Sequence, residues 1–252
     1  MGKIREFFYL LAIAVLISLS MIFIGAAFRE EYPLWKNQKI LEDLQSDVKT
    51  EETGDEDPGI DWEKLKKINP DIVGWIKVPG TRIDYPVLRG SRWNEYLHKD
   101  YKGESSYAGS IFIQPGASFE DKHLILYGHQ MKDNSMFKQL NGYKEEIFYK
   151  EHPNIKLYLH EQKYEYEITA VYVTDVANGG GYYNYLHWNT RKEQLNYLQQ
   201  KMAGYQIYDT GKKVMETDEL LSLSTCEYSS DNGRLIVQAR RKGEMTDGKQ
   251  II

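Results

Sequence analysis

Residues 7–28, FFYLLAIAVLISLSMIFIGAAF, form an apolar run without a single charged side chain. As a helix, those 22 residues reach across the roughly 30 Å hydrocarbon core of a bilayer. Lys3 and Arg5 precede the run, and Arg29, Glu30 and Glu31 follow it. That bias favours residues 1–6 in the cytoplasm and the remainder outside, and the length of the run favours an uncleaved anchor. A cleaved signal peptide is the alternative, since Gly25-Ala26-Ala27 resembles a small-residue cleavage site. The apolar core of a signal peptide is usually shorter, about 7–15 residues. Both readings place the rest of the chain on the outer side.

Beyond the run, residues 30–45 carry Leu34, Leu41 and Leu44 at helical spacing. Residues 42–61 then hold nine acids against one base, Lys49, interrupted by Thr, Gly and Pro. Such a segment buries too little apolar area to offset the entropy of ordering, so a solvated spacer is expected. The organisation is therefore residues 1–6, a span at 7–28, a helix and acidic spacer at 29–60, and a folded domain at 61–252. Asp61 is placed to cap the short helix WEKLKKI, and Asn69-Pro70 ends it. The net charge of -5 and the lack of a basic block interleaved with aromatics argue against nucleic acid as a partner.

From residue 72 onward the pattern is dominated by short strands: 72–78, 82–88, 110–113, 123–128, 155–159, 164–173, 220–226 and 234–240, separated by Gly, Pro and Asn clusters. Eight short strands in one domain suggest a closed β-barrel or a sandwich. Two helices interrupt them. SMFKQL (135–140) spaces Met136, Phe137 and Leu140 helically, and Thr190 with Glu193 makes a capping box for a helix lined by Leu195, Leu198 and Met202, stopping at Gly204.

The chain has one cysteine, Cys226, so no internal disulfide forms. A lone cysteine is often a small buried hydrophobe. Strand alternation in LLSLSTC, however, places Leu221, Leu223 and Thr225 on one face and Ser222, Ser224 and Cys226 on the other. The thiol ends its strand on the more polar side. The loop EYSSDNG then returns the chain as RLIVQAR, so a hairpin would set Arg234 opposite Cys226. A guanidinium there can favour the thiolate and donate to an oxyanion or substrate carbonyl. From spacing alone, a solvated strand-end charge is the favoured reading. His129 ends the strand HLILYGH, a position suited to acid–base work. His123 lies about 20 Å away along an extended strand, so the two cannot share a metal. No zinc spacing occurs elsewhere, and His98, His152, His160 and His187 sit among polar loop residues as surface histidines. No metal and no cofactor are expected.

LSTC followed by Arg234 resembles the sortase signature, in which a TLxTC strand carries the nucleophile and an arginine follows on the next strand. YGHQMKDNSMF (127–137) resembles the histidine motif of class B sortases, and NPDIVGWIKVPGTRIDYPV (69–87) resembles their opening strands. The resemblance covers roughly residues 30–243. Ser222 stands where the family usually has Thr, and the region 175–189, with Gly179-Gly180-Gly181, departs from the family pattern. The resemblance implies a closed, mainly β barrel of about eight strands with N-terminal helices and a helix between strands six and seven. It implies a cysteine transpeptidase with Cys226 as nucleophile, His129 as proton carrier and Arg234 as donor to substrate carbonyls. Leu88, Tyr185, Leu186, Ser224 and Glu227 would line the substrate pocket. The partners implied are surface proteins bearing an NPxTN- or NPxTG-like sorting signal and an amine on a peptidoglycan precursor or a pilin.

Two rival readings stand beside this one. A hydrolytic cysteine peptidase of papain type would place Cys before His and carry C-G-[SA]-C-[WY]; this chain has the opposite order and lacks the motif. A non-catalytic surface scaffold on a β-barrel would leave Cys226 inert.

Overall fold

The computed structural model describes residues 2–50, 59–175, 190–200, 202–226, 228, 232–246 and 249–250. The chain divides into two compact units, Met1–Leu44 and Gln45–Ile252. The first belongs to α1, a helix over Gly2–Val48. Within it, Ile4–Ala26 has a mean hydropathy of 2.7 and is long and apolar enough to cross a membrane. The helix expected at 30–45 is continuous with the apolar run. Its charged residues are good helix formers, and no glycine interrupts residues 29–48, so the helix continues even through Pro33.

The second unit takes in residues that the sequence assigns to the spacer. Val48 is fully buried, Gln45 Nε2 donates to the Asp84 carbonyl at 2.6 Å, and Lys49 pairs with the Asp84 carboxylate. Lys49–Thr50 and Gly59–Ile60 form a small antiparallel ribbon. The most acidic part of the spacer, 51–58, lies outside the described residues. Helix α2 (Trp62–Ile68) follows, with Asp61 Oδ1 accepting from Lys64 N at 2.9 Å as its N-cap.

Eight strands build the barrel: β1 (Ile72–Lys77), β2 (Asp84–Arg89), β3 (Ile111–Ile113), β4 (His123–Tyr127), β5 (Asn154–Tyr158), β6 (Lys163–Asp175), β7 (Leu220–Cys226) and β8 (Gly233–Thr246). Each coincides with a strand read from the sequence. Their order is β8-β6-β5-β1-β2-β3-β4-β7, and β7 pairs back onto β8, closing the sheet. Closure removes the open edges that a flat sheet of this size would expose. Two of the pairings are parallel, β2 with β3 and β4 with β7. The sequence-read helix at 135–140 is a 3₁₀ segment over Phe137–Lys144. A 3₁₀ turn at Glu95–His98 and helix α3 (Glu146–Glu151) have no counterpart in the sequence reading. These elements are too short to show a period.

One face of β4, β7, β8 and β6 packs under helix α4 (Arg191–Gln200) and the turn after it. Ile125, Leu220, Ile236, Ala170 and Tyr172 meet Leu195, Leu198 and Met202 there. Leu220 shares strand parity with Ser222, Ser224 and Cys226, so the more polar face of LLSLSTC is roofed by a helix rather than open to water. Leu221, Leu223 and Thr225 lie on the opposite face and are also buried.

His123 is sealed under this roof, with Nε2 against Ser222 Oγ at 2.8 Å and Nδ1 facing Gln194 Nε2 at 3.3 Å. Burial, reinforced by the Arg191 charge, pushes its pKa down from 6.5 to about 3. The folded state therefore keeps His123 neutral while the unfolded chain takes up a proton below about pH 6.5. Stability should fall as pH drops from about 6.5 toward 3, with this group contributing up to ~1.4 kcal/mol per pH unit. Denaturant unfolding at a series of pH values should show a shallower decline for His123→Gln; an unchanged slope would show that His123 does not carry it.

Candidate active site

The barrel register sets three chemically capable residues at one rim. Parallel pairing aligns Tyr127 on β4 with Ser224 on β7, and Gly128 N donates to the Ser224 carbonyl at 3.2 Å. Two residues further along each chain come His129 and Cys226. Antiparallel pairing of β7 with β8 makes Arg234 the partner of Cys226, the juxtaposition expected from the loop between them. Directly opposed residues have Cα atoms about 4.5–5.5 Å apart. Cys226 is half-buried and its thiol is free.

His129 is held by backbone. Its Nε2 lies 2.8 Å from the Leu97 carbonyl. A carbonyl only accepts, so Nε2 carries the proton and donates it. In the neutral ring Nδ1 is then the basic nitrogen. Burial lowers the His129 pKa from its ordinary value of 6.5; the Leu97 bond opposes that shift, and neighbouring His98 adds to it. The two imidazole rings stand 5.5 Å apart. At neutral pH His129 is therefore a neutral base.

The Leu97 carbonyl is itself positioned by Gly109, at φ +60, where a Cβ would collide with that oxygen and approach Leu97 C to 2.9 Å. Gly109→Ala should thus displace the acceptor of His129 and strain the backbone by about 1–2 kcal/mol. A misplacement near 1 Å can cost up to about 10²-fold in rate, so peptide cleavage should drop about tenfold or more while thermal unfolding shows a folded protein. Wild-type cleavage by that variant would remove the role given to the Leu97 contact.

The loop after His129 is tightly specified. Asn134 and Met136 adopt positive φ (64 and 52), Ser135 N and Oγ both donate to Asp133 Oδ1, and Phe137 N returns to the His129 carbonyl at 2.9 Å. A methionine in that region is sterically costly and persists only where surrounding contacts over-determine it. Gln130 leaves the same loop and reaches the Cys226 carbonyl at 2.8 Å.

Arg234 is half-buried, and its Nη1 donates to the Gly233 carbonyl at 2.8 Å. Tyr228 stands exposed in the β7–β8 connection, and its phenol pKa is raised by partial burial and then by the charges of Cys226 and Tyr107, while Arg234 opposes the rise. Two exposed tyrosines, Tyr107 and Tyr228, thus stand within electrostatic reach of the thiol or of each other.

The remaining sequence-derived site residues are placed differently. Leu88 on β2 is 0 % exposed and pairs with Phe112. Ser224 is 3 % exposed, two positions before Cys226. Tyr185, Leu186 and Glu227, like His187, lie outside the described residues. Sequence reasoning missed Leu97, Gly109, Gln130 and the neighbour His98. The Leu97 contribution is a main-chain oxygen, which no residue type announces, and His98, although exposed, carries no sequence signal that sets it apart from unconnected surface histidines.

A closed eight-stranded barrel with a free cysteine, a histidine and an arginine at one rim is the frame of a cysteine enzyme of the sortase class. The sequence model of the sortase domain matches residues 76–242, and the chain belongs to the sortase family. Its relatives are of class B. Sortase B of Listeria monocytogenes is 38% identical over 180 residues, covering 70% of this chain and 72% of that protein. The crystal structure of sortase B from Bacillus anthracis in complex with AAEK1 superposes with a TM-score of 0.70 at 30% identity, covering 83% of this chain and 98% of that one. Staphylococcus aureus sortase B in its substrate complex gives a TM-score of 0.64 at 33% identity over 72% and 84% of the two chains. A sortase B has also been solved in complex with triglycine. The protein is thus a cysteine transpeptidase on a class B sortase barrel.

Proposed function

We propose that Cys226, His129 and Arg234 cleave a sorting signal of NPxTN or NPxTG type after its threonine and join that threonine to an amine. The carrying observation is the barrel register, which brings β4, β7 and β8 to one rim with His129, Cys226 and Arg234 at their ends. Cys226 gives its proton to neutral His129 and attacks the threonine carbonyl as the thiolate. Arg234 donates to the oxyanion or to neighbouring substrate carbonyls. Collapse of the tetrahedral intermediate breaks the C–N bond, His129 delivers its proton to the leaving amine, and a thioester remains on Cys226. An incoming amine loses a proton to His129, attacks the thioester carbon and forms the new amide, and the thiol is restored. The sortase B complexes with substrate and with triglycine support a peptide donor and an amine acceptor.

Surface proteins with such signals are the donors, and a peptidoglycan precursor or pilin supplies the amine. The apolar part of α1 anchors the enzyme with residues 1–6 in the cytoplasm, so protease added to intact protoplasts should digest the domain; full protection of residues 61–252 would contradict that topology. The reading separates from a hydrolase by product analysis. Sorting-signal peptides incubated with the enzyme and triglycine should give the ligated peptide by mass spectrometry. Free acid alone, at every amine concentration, would favour the peptidase.

A further inference from the structure

Gln130 directly follows His129 and bridges the two strand ends. Its Nε2 donates to the Cys226 carbonyl at 2.8 Å, and its Oε1 accepts from Lys138 Nζ at 3.0 Å. The orientation of this amide is fixed by chemistry: a carbonyl oxygen only accepts and an ammonium only donates, so its nitrogen and oxygen cannot be exchanged. Both neighbours are anchored. Lys138 lies on the 3₁₀ segment whose Phe137 N–H donates to the His129 carbonyl, and Gln130 itself forms a backbone bridge with Met136. The last ladder positions joining β4 to β7 are Tyr127 and Ser224. Past them, the Gln130 side chain reconnects the histidine strand to the nucleophile strand at the residue that matters.

We infer that Gln130 is a positioning residue for Cys226, held in its working orientation by Lys138. This rests on the proposed reading of Cys226 as the nucleophile. The hydrogen bond fixes the peptide plane that follows the Cys226 Cα, and with it the direction in which the thiol leaves the backbone relative to His129. The Lys138 charge polarises the amide and strengthens its donor end. Without the bond the strand end is free to turn, and a displacement of ~1 Å at a reacting atom costs up to about 10²-fold in rate.

Two variants separate positioning from mere stability. Gln130→Glu keeps the side-chain length and gives Lys138 a carboxylate partner, but it has no hydrogen to donate to the Cys226 carbonyl. Lys138→Met leaves the donor in place and releases its far end. In Gln130→Glu, kcat on a sorting-signal peptide should fall roughly 10- to 100-fold with KM within about twofold, and the rate at which iodoacetamide alkylates Cys226 in the resting enzyme should change about fivefold or more. Lys138→Met should show the same pattern with a smaller change, and it carries the test if Gln130→Glu fails to fold. A residue that only stabilises the loop would lower Tm and leave both rates alone. Wild-type kcat or a wild-type alkylation rate in folded Gln130→Glu overturns the assignment. If the wild-type enzyme turns over no peptide, the functional reading fails by itself, while the alkylation comparison still decides the role of Gln130.

Discussion

Replacing Cys226 by alanine is expected to abolish cleavage and transfer of sorting-signal peptides while leaving the barrel folded. Cys226 is the last residue of β7 and half-buried, so loss of its sulfur removes little packing. Its main-chain carbonyl, the acceptor of Gln130, is untouched by the substitution. The chemistry, in contrast, loses its attacking atom, and removal of a nucleophile from such a set costs at least about 10⁴-fold. Thermal unfolding should move by no more than a few degrees. Turnover retained by folded Cys226→Ala would sink the whole mechanism.

The second large effect is expected at Arg234. A solvated strand-end charge can be replaced with a change within about 0.5 kcal/mol in stability and none in rate. A donor to an oxyanion or substrate carbonyl is worth about 10²–10³ in turnover. The structure makes Arg234 the register partner of Cys226 and leaves it half-buried, with Nη1 committed to the Gly233 carbonyl. That bond holds one arm of the guanidinium against its own backbone, and among the described residues the other N–H groups of the fork have no hydrogen-bond acceptor, which suits them to a substrate oxygen. Arg234→Lys should fold normally yet lose most activity, because a point charge does not reproduce a planar fork, and Arg234→Ala should lose more. Near-wild-type kcat/KM for Arg234→Ala would dissolve the Cys–His–Arg assignment even with Cys226 confirmed.

The parts of the fold legible in the sequence are those with local signals. Each barrel strand is a short apolar run bounded by turn residues, and Asp61 and Asn69-Pro70 mark the limits of α2. Closure and strand order are non-local. The parallel neighbours β2 with β3 and β4 with β7 are joined through long connections, and nothing in HLILYG or LLSLSTC alone specifies that they lie side by side. The length of α1 escapes the sequence because Arg29-Glu30-Glu31 reads as the end of the apolar run, although those residues continue a helix readily. Alternation splits β7 into its correct two faces but does not reveal that α4 covers the serine-bearing one, where His123 Nε2 lies against Ser222 Oγ. At the site, the hairpin spacing is enough to set Arg234 against Cys226, whereas His129 carries only a strand-end position until the family motif singles it out. Leu97 and Gly109 contribute main-chain geometry, which becomes visible only once the loop before β3 is placed beside His129.

The central claim is that the acyl group passes through Cys226, and intact-protein mass spectrometry of the enzyme mixed with a sorting-signal peptide tests it most directly. Without an added amine, the wild-type protein should gain the mass of the peptide fragment ending in threonine, mapped by proteolysis to Cys226 and discharged as ligated product when triglycine is added. Cleavage that proceeds with an adduct on another residue, or an adduct on Cys226 that triglycine never discharges, would contradict the account.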